Sequence, residues 1–488
     1  MHPLAKLDHA HVWHPFTQMR AWLRREPIII TSGKVAVLRD VRGREYLDAN
    51  SSIWINLHGH NHPKINAAIS RQLKKISHSS ALGFANEPAS LLAAELIKAA
   101  NPKTETRKPK LSKVFFSDDG STALEVALKL AYEFTRRTRG PKTQPHFLSL
   151  EGAYHGDTVG AVSLGHISLF HKAYDGLLFK TDKVMSPYCY RCPFNRAKPE
   201  RADARDYRKC HWECVGKVEQ KFSAQKKRGN PYAAFVFEPL VQGAAGMIPQ
   251  PEGWLRCVAG IARSHGALLI ADEVMTGFGR TGSEFRLQAG RAANKPPKGG
   301  TPNLFFACHR EAVQPDFLCL AKGLTGGYLP MAATLTTPKV FDAFLGEYHE
   351  FKTFFHGHSF TGNQLGASAA LASLEILQGK QSVAARLALE RTLREELKSL
   401  WSLPNVGDVR QVGLVAGIEL VKDWRTRKPF TLREQAGIRV CEAMARRGVL
   451  TRPVGNVLVL MPPYCTTPAQ LREMVTALMA AVDAVLGK

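Results

Sequence analysis

The chain has 488 residues, too many for one compact core, so two domains are expected. With 44% hydrophobic and 22% charged residues, and no uninterrupted apolar run of about 18 residues, it reads as a globular protein without a membrane helix. The formal charge of +24 comes without a basic heptad helix, a zinc-finger spacing closed by paired histidines or an aromatic RNA-binding signature; we expect a solvated basic surface and no nucleic-acid partner.

The N-terminus, MHPLAKLDHAHVWHPF, has no apolar middle of the kind a signal peptide needs, so a cytoplasmic location is expected. Nine cysteines, an odd number without an export signal, argue against a disulfide framework. The first 60 residues are β-like and turn-rich and should pack with the C-terminal part of the chain. The middle alternates short apolar runs with helical stretches, the pattern of a mostly parallel sheet with crossover helices. Five runs of strand length stand out: Lys113–Phe116, His146–Leu150, Ala233–Phe237, Ala267–Ala271 and Phe317–Ala321. Most are continuously apolar, as strands buried on both faces should be.

Each run hands over to a polar residue. The first leads to Asp118-Asp119-Gly120-Ser121 and the second to Glu151-Gly152-Ala153-Tyr154-His155-Gly156. Glu238, Asp272 and Lys322 follow the other three. Ligands of open α/β sheets bind beyond the carboxyl ends of the strands, so these residues should share one site. Gly120-Ser121-Thr122 opens a helical pattern in which Thr122 and Glu125 can form a capping box, and a helix start of this kind suits a phosphate. A carboxylate at Asp272, ending an apolar strand, needs a cationic partner such as a protonated pyridine nitrogen, or backbone amides. A lysine at a buried strand end loses basicity, which makes Lys322 a candidate nucleophile; a snorkelling lysine is the other reading.

Between Met185 and Gly229 lies a charged insertion with Cys189-x2-Cys192 and Cys210-x3-Cys214. Four thiolates in two close pairs can hold zinc tetrahedrally. A surface excursion with reduced thiols, packed through Tyr188, Tyr190 and Trp212, is the reading preferred over a metal. A second insertion, near 286–303, looks like a flexible loop. From about Leu371 a helical run, a charged helix, a turn at Pro404 and two β-like runs (GLVAGIEL and VLVLMPP) suggest a smaller α+β domain. The expected division is 1–60 as the N-terminal part of that small domain, 61–368 as the large domain, and 369–488 as the C-terminal small domain.

Together these residues resemble the class III, fold type I, pyridoxal-phosphate (PLP) aminotransferases. LLIADEVMTGFGRTG followed by PDFLCLAKGLTGG carries that resemblance. VWHPFTQM, SSIWINLHGHNHP, EGAYHGDTVGAVSLG, FVFEPLVQGAAGM, FFHGHSFTGN, LTRPVG and LMPPY are similar to one branch, which forms 7,8-diaminononanoate from 8-amino-7-oxononanoate in biotin synthesis. The resemblance implies an α/β fold with a large, mostly parallel sheet and a homodimer with shared active sites.

Roles follow from it residue by residue. Lys322 would carry the cofactor covalently and move the proton, and Asp272 would pair with the pyridine nitrogen. Gly120 and Ser121 would hold the phosphate, with His358 and Ser359 reaching it from the neighbouring subunit. Tyr154 and Val274 would lie on opposite ring faces, with Glu238 nearby. Gly357 and Arg452 would contact substrate, the guanidinium clamping a carboxylate. Phe16, Ile53 and Trp54 would line the donor's place. The resemblance leaves two donors open, S-adenosylmethionine and L-lysine. It also leaves open another ω-amine substrate such as ornithine, 4-aminobutyrate or a diamine. A non-catalytic binding module fits less well with Lys322 and Asp272 both present.

Overall fold

The computed structural model describes residues 1–101, 110–282 and 305–487. The proposed loop at 286–303 lies outside the described residues.

A seven-stranded sheet organises the middle of the chain. Its order is Lys113–Ser117, Ala332–Thr336, Phe317–Leu320, Leu268–Asp272, Ala234–Phe237, Phe147–Leu150 and Asp182–Val184. All five apolar runs are in it. They point the same way, because the two antiparallel pairings both belong to the strand Ala332–Thr336, and the remaining four pairings are parallel. The sequence pattern missed Ala332–Thr336, whose small residues and threonines carry little apolar signal, and the three-residue strand Asp182–Val184.

The helix Gly120–Arg139 packs across this sheet. It buries Leu124, Ala127, Leu128 and Ala131 against strand residues such as Val236, Ile270 and Phe317. Its cap differs from the one expected. Asp119 is the N-cap: its carboxylate accepts from the Thr122 amide at 2.9 Å, and Thr122 Oγ1 accepts from the Asp119 amide at 2.9 Å. The helix therefore begins at Gly120, one turn earlier than a Thr122–Glu125 box requires. Glu125 instead accepts from Thr158 Oγ1 at 2.5 Å and from the Gly160 amide at 2.8 Å, fastening the start of the helix Val159–Leu164.

Two smaller sheets lie at the ends of the chain. One joins Ile30–Lys34, Val37–Asp40 and Glu45–Asp48 to Val449–Leu450, so N- and C-terminal segments share a sheet as expected. The other is antiparallel and contains Val406–Val412, Val415–Asp423, Pro453–Val454 and Val457–Leu460. Val406–Val412 escaped the sequence pattern because Asp408 and Arg410 interrupt it. Both are buried, since Arg410 pairs with Asp408 at 2.9 Å and with Glu419 on the next strand at 2.8 Å. The extreme N-terminus is not β-like throughout. Pro3–His11 is a helix, with Pro3 preset for the first turn and the His2 ring accepting from the Leu4 amide.

Candidate active site

The carboxyl ends of the strands open onto a cavity of about 450 Å³. Its wall contains Gly120, Ser121, Tyr154, Glu238, Asp272, Val274 and Lys322, all singled out from sequence, together with Trp54. Topology explains the convergence: same-direction strands place their last residues on one edge.

Asp272 is buried. One of its oxygens accepts from the Val274 amide at 3.1 Å, and the other lies 2.7 Å from Nδ1 of His155. His155 was missed in the sequence reading. The only signal for it is its place beside Tyr154 in the turn after the second strand. Its other ring nitrogen, Nε2, is buried with no hydrogen-bond partner among the described residues. Gly156 follows with φ of +121°, and a Cβ there would fall 2.1 Å from Ser121 Oγ. This glycine lets the loop press on the helix start, where Ser121 Oγ accepts from the Asp157 amide at 3.1 Å and keeps its own proton for a ligand.

Glu238 is buried in the wall, and burial pushes its carboxyl up to about 7. It accepts from the Gly243 amide at 2.8 Å and the Tyr154 amide at 3.4 Å, which fixes the loop bearing Tyr154. The Tyr154 hydroxyl donates to Asp157 at 2.7 Å, and burial raises its pKa. Lys322 stands in the left-handed region at φ +40°. Its Nζ lies 5.0 Å from the centre of the Trp54 ring, and burial lowers its pKa against the opposing pull of Asp272 and Glu238. A lysine held less basic than in water is a better nucleophile.

Trp54 ends an unusual turn. Ser51, Ser52, Ile53 and Trp54 have φ of +46°, +47°, +66° and +69°, a conformation costing roughly 1–2 kcal/mol per residue. Asp48 holds the turn by accepting from the Ser52 amide and hydroxyl, and Ser51 Oγ donates to the Met461 carbonyl. Arg280, wholly buried, donates to the carbonyls of Asn56 and Pro462 at 2.9 and 2.8 Å. A conformation of this kind persists only where such anchors over-determine it.

The remaining expected residues fall into two groups. Phe16 stands edge-on to Tyr154, with centroids 6.5 Å apart, and to Phe170 at 5.2 Å, so the N-terminal segment reaches the cavity mouth. Arg452 is exposed, without a hydrogen bond or ion pair among the described residues. It lies two residues beyond Val449–Leu450, which pairs in parallel with the strand leading to the Trp54 turn, and so emerges at the same edge. Ile53 is 41% exposed and stays out of the cavity wall, where Ile55 takes part instead. Within one chain Gly357 and Ser359 are also exposed and outside the cavity, and His358 stands 3.2 Å from Asp118 at its border. Cys189, Cys192, Cys210 and Cys214 line a separate small cavity.

The profile of Aminotransferase class-III matches residues 19–293 and 299–482. The chain belongs to the class-III aminotransferases. An adenosylmethionine-8-amino-7-oxononanoate aminotransferase from Nitratidesulfovibrio vulgaris is 46% identical over 484 residues, 99% of this chain and 82% of that protein. The crystal structure of an enzyme of the same name from Methanocaldococcus jannaschii matches with a TM-score of 0.85 at 38% identity, covering 99% of this chain and 98% of that one. An amine transaminase from an uncultivated Pseudomonas species, solved with PLP bound, matches with a TM-score of 0.83 at 30% identity, covering 97% and 98%.

The cavity of this class-III aminotransferase fits PLP. Gly120 forms a cradle, for a Cβ there would sit 2.7 Å from Val274 and close the space between helix start and strand loop. The free amides of that helix start, with the Ser121 hydroxyl, suit the phosphate. Asp272 offers a fixed carboxylate for a ring nitrogen, and Lys322 an amine without a hydrogen-bonded acceptor among the described residues.

Proposed function

We propose that this class-III aminotransferase converts 8-amino-7-oxononanoate into 7,8-diaminononanoate, a step of biotin synthesis, with PLP as cofactor and S-adenosylmethionine as amino donor. The observation that carries the substrate reading is the seating of Phe16, from the VWHPFTQM element, against Tyr154 at the cavity mouth. Relatives at 46%, 44% and 42% identity over nearly the whole chain bear that enzyme's name, which supports it.

When bound, the cofactor supplies an electron-poor ring that takes up the electron pair left as a substrate C–H bond breaks. The protein's residues do the rest. Lys322 would hold the group through its amine and would move the substrate proton. Asp272, its second oxygen held by His155, would hold a protonated ring nitrogen. Gly120, Ser121 and the helix start would hold the phosphate, and Val274 and Tyr154 would pack against the ring. Glu238 holds the Tyr154 loop in place. His155 is a positioning residue here, acting through Asp272.

Arg452 is the clamp for the substrate carboxylate. In Arg452→Ala the Michaelis constant for 8-amino-7-oxononanoate should rise about ten- to a hundred-fold, the worth of one charged hydrogen bond, and far more than that for the donor. Steady-state kinetics with each substrate varied in turn decides this; equal effects on both make Arg452 structural.

A second donor reading rests on the open side of the Trp54 turn. An adenine and a sulfonium are usually held between aromatic walls. Phe16 supplies one ring without a hydroxyl, and at Ile53 an exposed aliphatic surface stands instead. L-lysine needs neither wall. We expect measurable half-reaction with L-lysine, and binding of S-adenosylmethionine through Trp54 and Tyr154. Each compound is mixed separately with the PLP-loaded enzyme and the loss of the visible band is followed. Conversion by S-adenosylmethionine alone removes the lysine reading.

We also propose a cytoplasmic homodimer, in which Gly357, His358 and Ser359 of each protomer serve the other's site. In support, the exposed side chains Tyr348, Phe351, Phe355 and Phe360 flank that segment, an apolar set that an isolated surface rarely keeps. The division at residues 60 and 368 belongs to the same reading.

A further inference from the structure

The excursion between the strand Asp182–Val184 and the helix Glu213–Lys227 holds three of the nine cysteines, and a fourth, Cys214, stands on the first turn of that helix. Its own core is small: Cys189, Tyr190 and Ala204, with Tyr188 and Tyr207 against them. Its regular structure amounts to one turn at Cys189–Arg191 and another at Ala204–Tyr207. Yet it is a bracket between two parts of the protein. Arg191 Nε donates to Glu419 at 2.6 Å, and the Tyr188 hydroxyl donates to the same carboxylate. Arg201 donates to the carbonyls of Trp401, Leu403 and Val406, and Arg205 to that of Gln411 at 2.8 Å. A segment with so little core needs another source of rigidity to hold these contacts.

The fold closes the 17-residue gap between the two cysteine pairs. Cys189, Cys192, Cys210 and Cys214 line one cavity of about 10 Å³. A space of that size takes a guest no larger than a single water or ion. All four are free thiols. Trp212 bridges the second pair at φ +61°, placing Cys214 on the first turn of the helix that follows. Two further features suit a metal with bound thiolates. Arg208 lines the cavity and opposes the negative charge that sulfur would bring. Trp254, fully buried, has its Nε1 beside the Cys214 sulfur and without a hydrogen-bond acceptor among the described residues. An indole N–H directed at a ligand sulfur is the kind of outer-shell contact that metal thiolates use.

We propose that this four-cysteine pocket is a structural zinc site, which stiffens the bracket between the large sheet and the C-terminal strands. Four sulfurs in two close pairs are a tetrahedral zinc donor set. Binding breaks four S–H bonds, releases four protons to solvent and forms four Zn–S bonds, with no change of oxidation state. Among the described residues no group of three or more His, Cys, Asp or Glu side chains stands close enough together to hold a metal ion as placed, these four sulfurs included. The Cys189 thiol, for one, is turned to the Pro187 carbonyl at 3.8 Å. Zinc therefore draws the sulfurs inward as it binds.

The test uses the PLP-loaded enzyme, purified untagged without added metal or chelator. Elemental analysis should find about one zinc per chain. Titration with a mercurial should release it as about four thiols react, followed with a zinc-sensitive dye. Cys192→Ser and Cys210→Ser should lose the metal, while Cys257→Ser, at an exposed position outside the cluster, keeps it. Zinc loss should lower the Tm by several degrees and leave the visible cofactor band at room temperature in place. If the serine variants fail to fold, the metal content and mercurial release of the unaltered enzyme still decide. Zinc at background level, iron in its place, or a disulfide seen as a mass deficit of the intact chain would each overturn the proposal.

Discussion

Replacing Lys322 by alanine is expected to leave a folded, colourless protein whose transamination falls by about 10,000-fold or more, the upper range for a lost acid–base group. The expectation rests on geometry. Lys322 closes the strand Phe317–Leu320 at a left-handed φ, against the Trp54 ring and opposite Asp272 and Glu238. Alanine keeps the backbone but removes both the amine that carries the cofactor and the group that moves the proton. An absorption spectrum after dialysis against PLP, together with circular dichroism to confirm the fold, is the measurement. A variant that stays yellow and active would place the chemistry on another residue.

Asp272→Asn should give a different failure. Asparagine has nearly the same shape, so PLP still binds, but it carries no charge to keep a ring nitrogen protonated. It also changes what His155 faces, because Nδ1 loses a carboxylate 2.7 Å away. Turnover should drop about 100- to 1,000-fold, the usual effect of removing one preorganised electrostatic partner in a site closed to water. The Michaelis constants should move much less, because the residue touches the cofactor rather than substrate. Single-turnover rates alongside a PLP titration separate the two quantities. Near-normal turnover would mean that Asp272 serves only to order the loop through the Val274 amide.

The active-site edge was legible because strand ends are the easiest structural feature to read. Continuous apolar runs name the strands, and the first polar residue after each names what the sheet delivers. Gly120, Asp272 and Lys322 all lie in the cavity wall for that reason. What stayed hidden depends on contacts between distant segments. Asp408 and Arg410 break the apolar pattern of a buried strand, and only their pairing with Glu419 makes that strand possible. Thr122 and Glu125 have the spacing of a cap, yet Asp119 binds the Thr122 amide first and Glu125 finds the start of the helix Val159–Leu164. His155 looks like any histidine in a glycine-flanked turn until Asp272 is placed beside it. The cysteine pairs, 17 residues apart, show a shared cavity only once the fold has joined them.

The turn at Ser51–Trp54 sets robustness against rate. Four side-chain-bearing residues in a mirror-image conformation are a reserve of stability left unused, since glycine would accept the same backbone at little cost. A library screened for heat resistance alone would drift towards glycine at Ser52 or Ile53. The same change would free the backbone to leave the conformation that sets Trp54 over Lys322. Directed evolution of this enzyme therefore needs activity in the screen from its first round.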